Sequence, residues 1–305
     1  MILEQAGPYG LVLLAVLGAG LIAVAVVANQ VRSGRTRAVP LLFGAPVIAL
    51  VLGAGGSLVG VAAAESMVAE GPADLVAAAA AEGYAAALTS HLLGTSVAWW
   101  LVLFAAWGLG LGSWLARRDR AAVRPGGLGR WVGWAGLAIG VCGSAAAGVL
   151  ADGGPFHMAA VGLAFVYLAG PLGLVGHDTG DQEPPSADLR AALAGCCLVA
   201  VALLLTSGHT AGLIMTYQAA SLASEETRTI LMMSGSAVSQ ASFVLLPVGL
   251  VQAGVLAGLV LWPARDRLRD QPAMLSLAGA LITAGVCLAA AGLVRQAGQA
   301  LVDLV

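Results

Sequence analysis

Lysine is absent from this 305-residue chain. All 14 basic residues are arginine, 16 residues are acidic, and charged residues make up only 10% of the sequence. A soluble domain carries roughly a quarter charged residues, so that class is excluded. The formal net charge of −2 offers no basic surface for nucleic acid. Cysteine is scarce too. Cys142, Cys196, Cys197 and Cys287 all lie inside apolar runs, which leaves no extramembrane pair for a structural disulfide. Neither a CxxC nor a Cys/His zinc pattern occurs, so no metal is expected. Nucleophile elbows, P-loops, HExxH motifs and dinucleotide fingerprints are also missing. Neither an enzyme nor a bound cofactor is expected.

What the sequence has is apolar length. It is 59% hydrophobic, with a mean hydropathy of +0.92. Crossing the hydrocarbon core takes about 20 helical residues. The runs are continuous rather than alternating, which predicts helices and not a barrel. The fold class is all-α, a polytopic membrane protein with eight spans near 8–29, 39–64, 76–115, 130–151, 156–176, 189–216, 228–262 and 273–303. The third and seventh are too long for an upright span and are expected to tilt or to project. The N-terminus has no basic region, so the first run reads as a retained span rather than a cleaved signal. Arginines cluster after the first span (Arg32, Arg35, Arg37), the third (Arg117, Arg118, Arg120, Arg124, Arg130) and the seventh (Arg265, Arg267, Arg269). The positive-inside rule puts these loops in the cytoplasm and both termini outside.

The two halves echo each other. Gly7-Pro8-Tyr9 opens the first span and Gly154-Pro155-Phe156 the fifth. Gly56 and Gly60 lie late in the second span, as Gly208 and Gly212 do in the sixth. Trp114 precedes Arg117 and Arg118 as Trp262 precedes Arg265 and Arg267. Gly140-Val141-Cys142 in the fourth span matches Gly285-Val286-Cys287 in the eighth, and all four separations stay between 145 and 152 residues. The expected division is a first four-span repeat, 1–152, and a second, degenerate one, 153–305. Four spans per copy is an even number, so the repeats are parallel.

The polar residues concentrate in a hairpin at about 39–115. Gly53, Gly56, Gly60 and Gly94 are small enough to let helix backbones approach, and Gly208 and Gly212 are their counterparts in the second half. Ser90, His91, Thr95 and Ser96 fall deep in the third span. They read either as a polar row that could pass protons or as hydroxyls bonded back to their own helix. An imidazole at mid-membrane needs a partner, and its titration range suits proton work, so His91 is the leading candidate. His209, with Thr210 beside it, lies in the outer half of the sixth span; counting residues gives it a different depth from His91, which speaks against a haem held between the two. Glu82, near the outer end of the third span, reads as an entry carboxylate or as an interfacial group turned to water with Glu65, Glu70 and Asp74. Arg295 could pair with such a carboxylate. His157 and His177 read as solvated.

Residues 53–61 (GAGGSLVGV), 72–75 (PADL) and 87–94 (ALTSHLLG) together resemble the Gly-rich segment, short loop and Ala-rich hydroxyl-bearing helix of the MotA/TolQ/ExbB proton-channel family. The Gly-Pro opening and outside N-terminus are similar to its ExbB/TolQ branch. That branch has three spans and a substantial cytoplasmic domain after the first, whereas here the first loop is short and each repeat adds a span. The resemblance implies a channel or motor subunit of a bacterial inner membrane that uses the proton gradient. It also implies a homo-oligomer and a single-span ExbD/TolR-like partner supplying the membrane carboxylate. The alternatives are a non-conducting membrane scaffold and a small-solute transporter.

Overall fold

The computed structural model describes residues 7–70, 76–118, 170–171, 186–228, 230–232 and 246–303. These form helices α1 (Gly7–Arg32), α2 (Gly44–Glu70), α3 (Val76–Arg118), α4 (Ala187–Leu222), α5 (Leu246–Leu261) and α6 (Gln271–Asp303). Turns of 3₁₀ helix precede α2 (Val39–Phe43) and follow α5 (Trp262–Arg267). All the described secondary structure is helical, and five helices are long and apolar enough to cross a membrane. They correspond to the first, second, third, sixth and eighth predicted spans. α5 covers the last portion of the seventh. The fourth predicted span lies outside the described residues, and so does the fifth except for Gly170 and Pro171. α3 has 43 residues, about 65 Å at 1.5 Å per residue, so it is far longer than the hydrocarbon core, as its sequence predicts.

Local chemistry sets several boundaries. α1 ends in a Schellman motif. Gly34 takes a φ of 82°, its N–H bonds Val31 C=O, and Arg35 N–H reaches back to Gln30 C=O. Pro40 and Pro263 sit at the starts of the two 3₁₀ turns, where a missing N–H costs little. Pro46 falls in the first turn of α2 for the same reason.

Side-chain neighbours define the helix directions. Gly20 meets Leu101, and Gly112 meets Ala28, so α1 and α3 are parallel. Gly53 meets Gly94, and Gly83 meets Ala64, so α2 and α3 are antiparallel. Tyr84 packs on Tyr217 with ring centroids 4.7 Å apart, while His91 lies within electrostatic reach of His209 and Arg117 of Arg190. α4 therefore runs antiparallel to α3. Gly249 meets Val201, and Arg190 bonds Val260, making α5 antiparallel to α4. Gly195 meets Ala280, and Cys287 bonds Thr206, making α6 parallel to α4. α4 is the central helix: 89% of its most apolar window is buried, against 22% for α1. Leu193, Cys197, Val199 and Leu203 of α4 join Leu50, Leu101, Leu109 and Leu256 in the main core. Outward-facing Ile22, Val51, Phe104, Leu111 and Ile282 are exposed, as lipid-facing side chains are.

This arrangement puts most of the arginines at one end. Arg32, Arg35, Arg37, Arg117, Arg118, Arg190, Arg265, Arg267 and Arg269 fall there together with Asp188, Asp266 and Asp270, whereas Arg228 and Arg295 fall at the opposite end. Glu65, Glu70, Glu82, Glu225 and Glu226 also fall at that opposite end, with the first and last described residues.

Candidate functional site: two imidazoles on facing helices

The α2–α3 crossing is made by absent side chains. A Cβ built on Gly94 would lie 2.7 Å from both Ala49 O and Gly53 Cα, and one on Gly53 would lie 2.8 Å from Gly94 Cα. At Gly60 a Cβ would come within 2.9 Å of Ala87 Cα. These are backbone atoms and cannot swing aside, so the contact requires glycine. At Gly56 a Cβ would meet Ser90 Cβ and the Tyr9 ring at 2.9 Å. Gly208 and Gly212, half-buried, flank His209 along α4.

This close approach carries Ser57, fully buried, into the backbone of α3. Its Oγ donates to Ala87 C=O (2.6 Å) and accepts from His91 N–H (3.0 Å). Those two groups, four residues apart, are a donor and acceptor pair of the α-helix itself. One hydroxyl from α2 thus bonds both ends of that link and fixes the backbone that carries His91. Ser57 was legible in sequence only as a member of the glycine run.

The other hydroxyls bond to their own helices. Thr89 Oγ1 donates to Ala85 C=O (3.3 Å), Thr95 Oγ1 to Leu92 C=O (3.0 Å) and Ser96 Oγ to the same carbonyl (2.7 Å). Thr210 Oγ1 donates to Thr206 C=O (2.8 Å). Thr95, Ser96 and Thr210 are in this way committed to backbone acceptors. Ser90, buried, lines a groove of about 560 Å³ between the start of α1, the second half of α2 and the first turns of α3. Tyr9, Gly56, Gly60 and Gly83 also border it, and exposed Glu82 stands at its rim.

His91 is different. Only 1% of it is exposed, and neither Nδ1 nor Nε2 has a hydrogen-bond partner. A neutral imidazole has one donor and one acceptor nitrogen, and leaving a buried polar group unbonded costs about 1–3 kcal/mol. Across the α3–α4 interface stands His209, also buried, near enough that a charge on one ring is felt at the other. Counting residues from predicted span ends gives the two different depths. The structure brings them within electrostatic reach of each other, and α4 continues to Leu222, six residues past the predicted end at 216. His91 is 15 residues from the start of α3 (91 − 76) and His209 is 13 from the end of α4 (222 − 209).

Around the imidazoles the interior stays polar on one side only. Toward the acidic end, Tyr84 and Tyr217 meet edge to face at 70°, and Tyr84 Oη donates to Val294 C=O at 3.5 Å. Exposed Arg295 is close enough to act electrostatically on Tyr84. Toward the arginine end, Cys287 Sγ–H donates to Thr206 Oγ1 (3.3 Å), beyond which α4 presents the apolar stretch 191–205 to the core. The tyrosines were open to sequence reasoning: Tyr84 precedes His91 by two helical turns and Tyr217 follows His209 by about two, so each pair shares a face. Among the described residues no group of three or more His, Cys, Asp or Glu could hold a metal ion. His157, His177 and Asp74 lie outside the described residues.

Long apolar helices, an outward apolar surface and described charges kept to the helix ends and loops define a multi-pass helical membrane protein. No protein-family model, curated protein or solved structure matches the chain.

Proposed function

We propose that the chain is a proton-handling channel or motor-type subunit of the MotA/TolQ/ExbB kind, with His91 and His209 as its proton-carrying groups. The observation that carries this reading is the His91 ring, which is buried with both nitrogens free of hydrogen bonds. An ionisable side chain kept in a dry wall at such a cost is a functional feature by default, and two imidazoles within electrostatic reach of each other are a pair between which a proton can be passed. The family resemblance implies that a single-span partner supplies the carboxylate. It also implies a homo-oligomer in a bacterial inner membrane, with the arginine end in the cytoplasm. The two four-span repeats belong to this proposal. In their support, Arg118 stacks over Trp114 (5.3 Å) and Arg265 over Trp262 (4.8 Å) at the same end of the bundle.

Proton flux into liposomes holding the full chain, with and without a co-expressed single-span protein, tests the reading. Flux that depends on the partner and is lost in His91→Leu and His209→Leu is the expected result. A well-folded protein that passes no protons under either condition overturns it. The second reading, a non-conducting scaffold, draws on the hydroxyls of Thr95, Ser96 and Thr210, which are taken up by their own backbones. That reading expects the absence of flux together with retained assembly.

A further inference from the structure

The arginines gathered at one end of the bundle are not all alike. Arg267 and Arg269 are exposed, as charges at a membrane surface normally are. Arg117, in the last turn of α3, and Arg190, in the first turn of α4, are only 7% and 5% exposed. Arginine is almost never so buried unless it is paired. Arg190 lies within electrostatic reach of Arg117 and adds to the cost of burying it. Arg190 Nη1 donates to Val260 C=O (3.0 Å) at the end of α5, but its Nε is buried without a hydrogen-bond partner. Ser186, at the N-cap of α4, makes no capping bond, and its Oγ is likewise buried without a partner. Ser186 and Arg190 are four residues apart and share one face of the helix start. The carboxylate on this turn, Asp188, is two residues from Arg190 and therefore on another face; its Oδ2 accepts the Thr36 hydroxyl (2.8 Å). The common face thus presents a buried guanidinium edge, a hydroxyl and the N–H groups of a helix start, with a second guanidinium nearby. Arg190 Nε is a donor and the Ser186 hydroxyl can act as one, and the helix dipole adds positive potential at the same point.

We propose that Arg190, Ser186 and Arg117 form a binding site for a phosphate-type oxyanion where α3 ends and α4 begins. Guanidinium Nε and Nη donors form a planar fork that fits two oxygens of such a group. The same chemistry is offered by the headgroup of an anionic phospholipid and by free phosphate. The site is independent of the imidazole pair, which lies several turns away along α3 and α4.

The test is thermal unfolding of the purified full chain in uncharged detergent, in two arms. One arm adds inorganic phosphate against chloride at equal ionic strength. The other adds phosphatidylglycerol against phosphatidylcholine, with native mass spectrometry counting retained lipid. The expected result is a rise in midpoint of about 3–5 °C in one arm. A rise with phosphatidylglycerol alone assigns a headgroup, and a rise with inorganic phosphate assigns a free anion. Arg190→Gln removes the shift, Arg190→Lys keeps some of it, and Arg267→Gln leaves it whole. The proposal is overturned if the wild-type chain gains nothing in either arm, a result that needs no variant to fold. It is equally overturned if Arg190→Gln keeps the full shift.

Discussion

Toward α2, the helix α3 presents Gly94, Ser90, Ala87 and Gly83; toward α4 it presents Tyr84, His91 and, at its far end, Arg117. The first face meets its neighbour backbone to backbone, and the hydroxyl that crosses it, Ser57, makes two short hydrogen bonds. The second face sets Tyr84, His91 and Arg117 among apolar contacts with α4, and the imidazole at its centre has no hydrogen bond at all. Two interfaces on one helix therefore place their polarity oppositely. The difference separates what holds the hairpin together from what the hairpin holds in place. A glycine crossing stabilises through proximity, which is worth most where no side chain can move aside. The imidazole face gives up stability, and polar burial of that kind points to a use beyond folding.

The sharpest way to break the first face is to add atoms to it. Gly94→Val puts a branched side chain against Ala49 O and Gly53 Cα, both backbone. A loss of about 3 kcal/mol or more is expected, at the upper end of overpacking costs. Loss of folded protein in detergent and a collapsed unfolding midpoint would report it. Gly285, which has open space where a Cβ would go, is the matched control, and Gly285→Val should cost far less. Equal losses at the two positions would mean that the crossing is not specially tight.

Ser57 tests whether the first face supports the second. Ser57→Ala removes the hydroxyl between Ala87 C=O and His91 N–H. Those two groups are still an i, i−4 pair of the helix and can satisfy each other, so the expected loss is modest, about 1–2 kcal/mol. The α3 backbone also resettles at His91. A change in the His91 ring environment, read by nitrogen chemical shifts, should therefore accompany the stability loss. An unaltered His91 signal would uncouple the two faces.

Much of the first face was legible in the sequence, and little of the second. Gly53, Gly56, Gly60 and Gly94 could be read as packing residues because spacing along one helix survives into structure as a face. Back-bonding by Thr95, Ser96 and Thr210 was equally open to reading, since a hydroxyl and its acceptor sit three or four residues apart. The meeting of His91 with His209 depends on the register of two helices separated by more than a hundred residues. It was obscured further by the end of the sixth span, where Thr216, Tyr217 and Gln218 dilute the apolar run although the helix continues to Leu222. Six residues of error there amount to about 9 Å of depth, enough to separate side chains that in fact face each other. The buried state of Arg117 and Arg190 was hidden for another reason. As residues in Arg-bearing segments at span ends they look like their exposed neighbours, and only the packing of α3, α4 and α5 distinguishes them.

His91→Leu probes the second face directly. The leucine fills a similar volume without a buried unbonded donor or acceptor, so stability should hold or rise by about 1 kcal/mol. Under the proposed function, proton flux should vanish in the same protein. A variant that is stable and inactive separates the use of the imidazole from its structural role. If stability falls steeply instead, His91 is holding the bundle together and the contrast between the two faces of α3 fails.

The smallest expected effect lies at the acidic end of the same face. Tyr84 Oη reaches Val294 C=O at 3.5 Å, the long limit for an O–H···O bond, where little strength remains. The edge-to-face contact with Tyr217 needs only the ring. Tyr84→Phe keeps that contact and removes the long bond, so a change of about 0.5 kcal/mol or less is expected. Tyr84→Ala also removes the ring, and should cost about 3 kcal/mol or more, as loss of a large buried aromatic does. A wide gap between these two substitutions in thermal unfolding would show that this end of the α3–α4 interface is held by ring packing. A narrow gap would give the hydroxyl an importance that its geometry does not suggest, and would extend the polar character of the imidazole face out to the acidic end of the bundle.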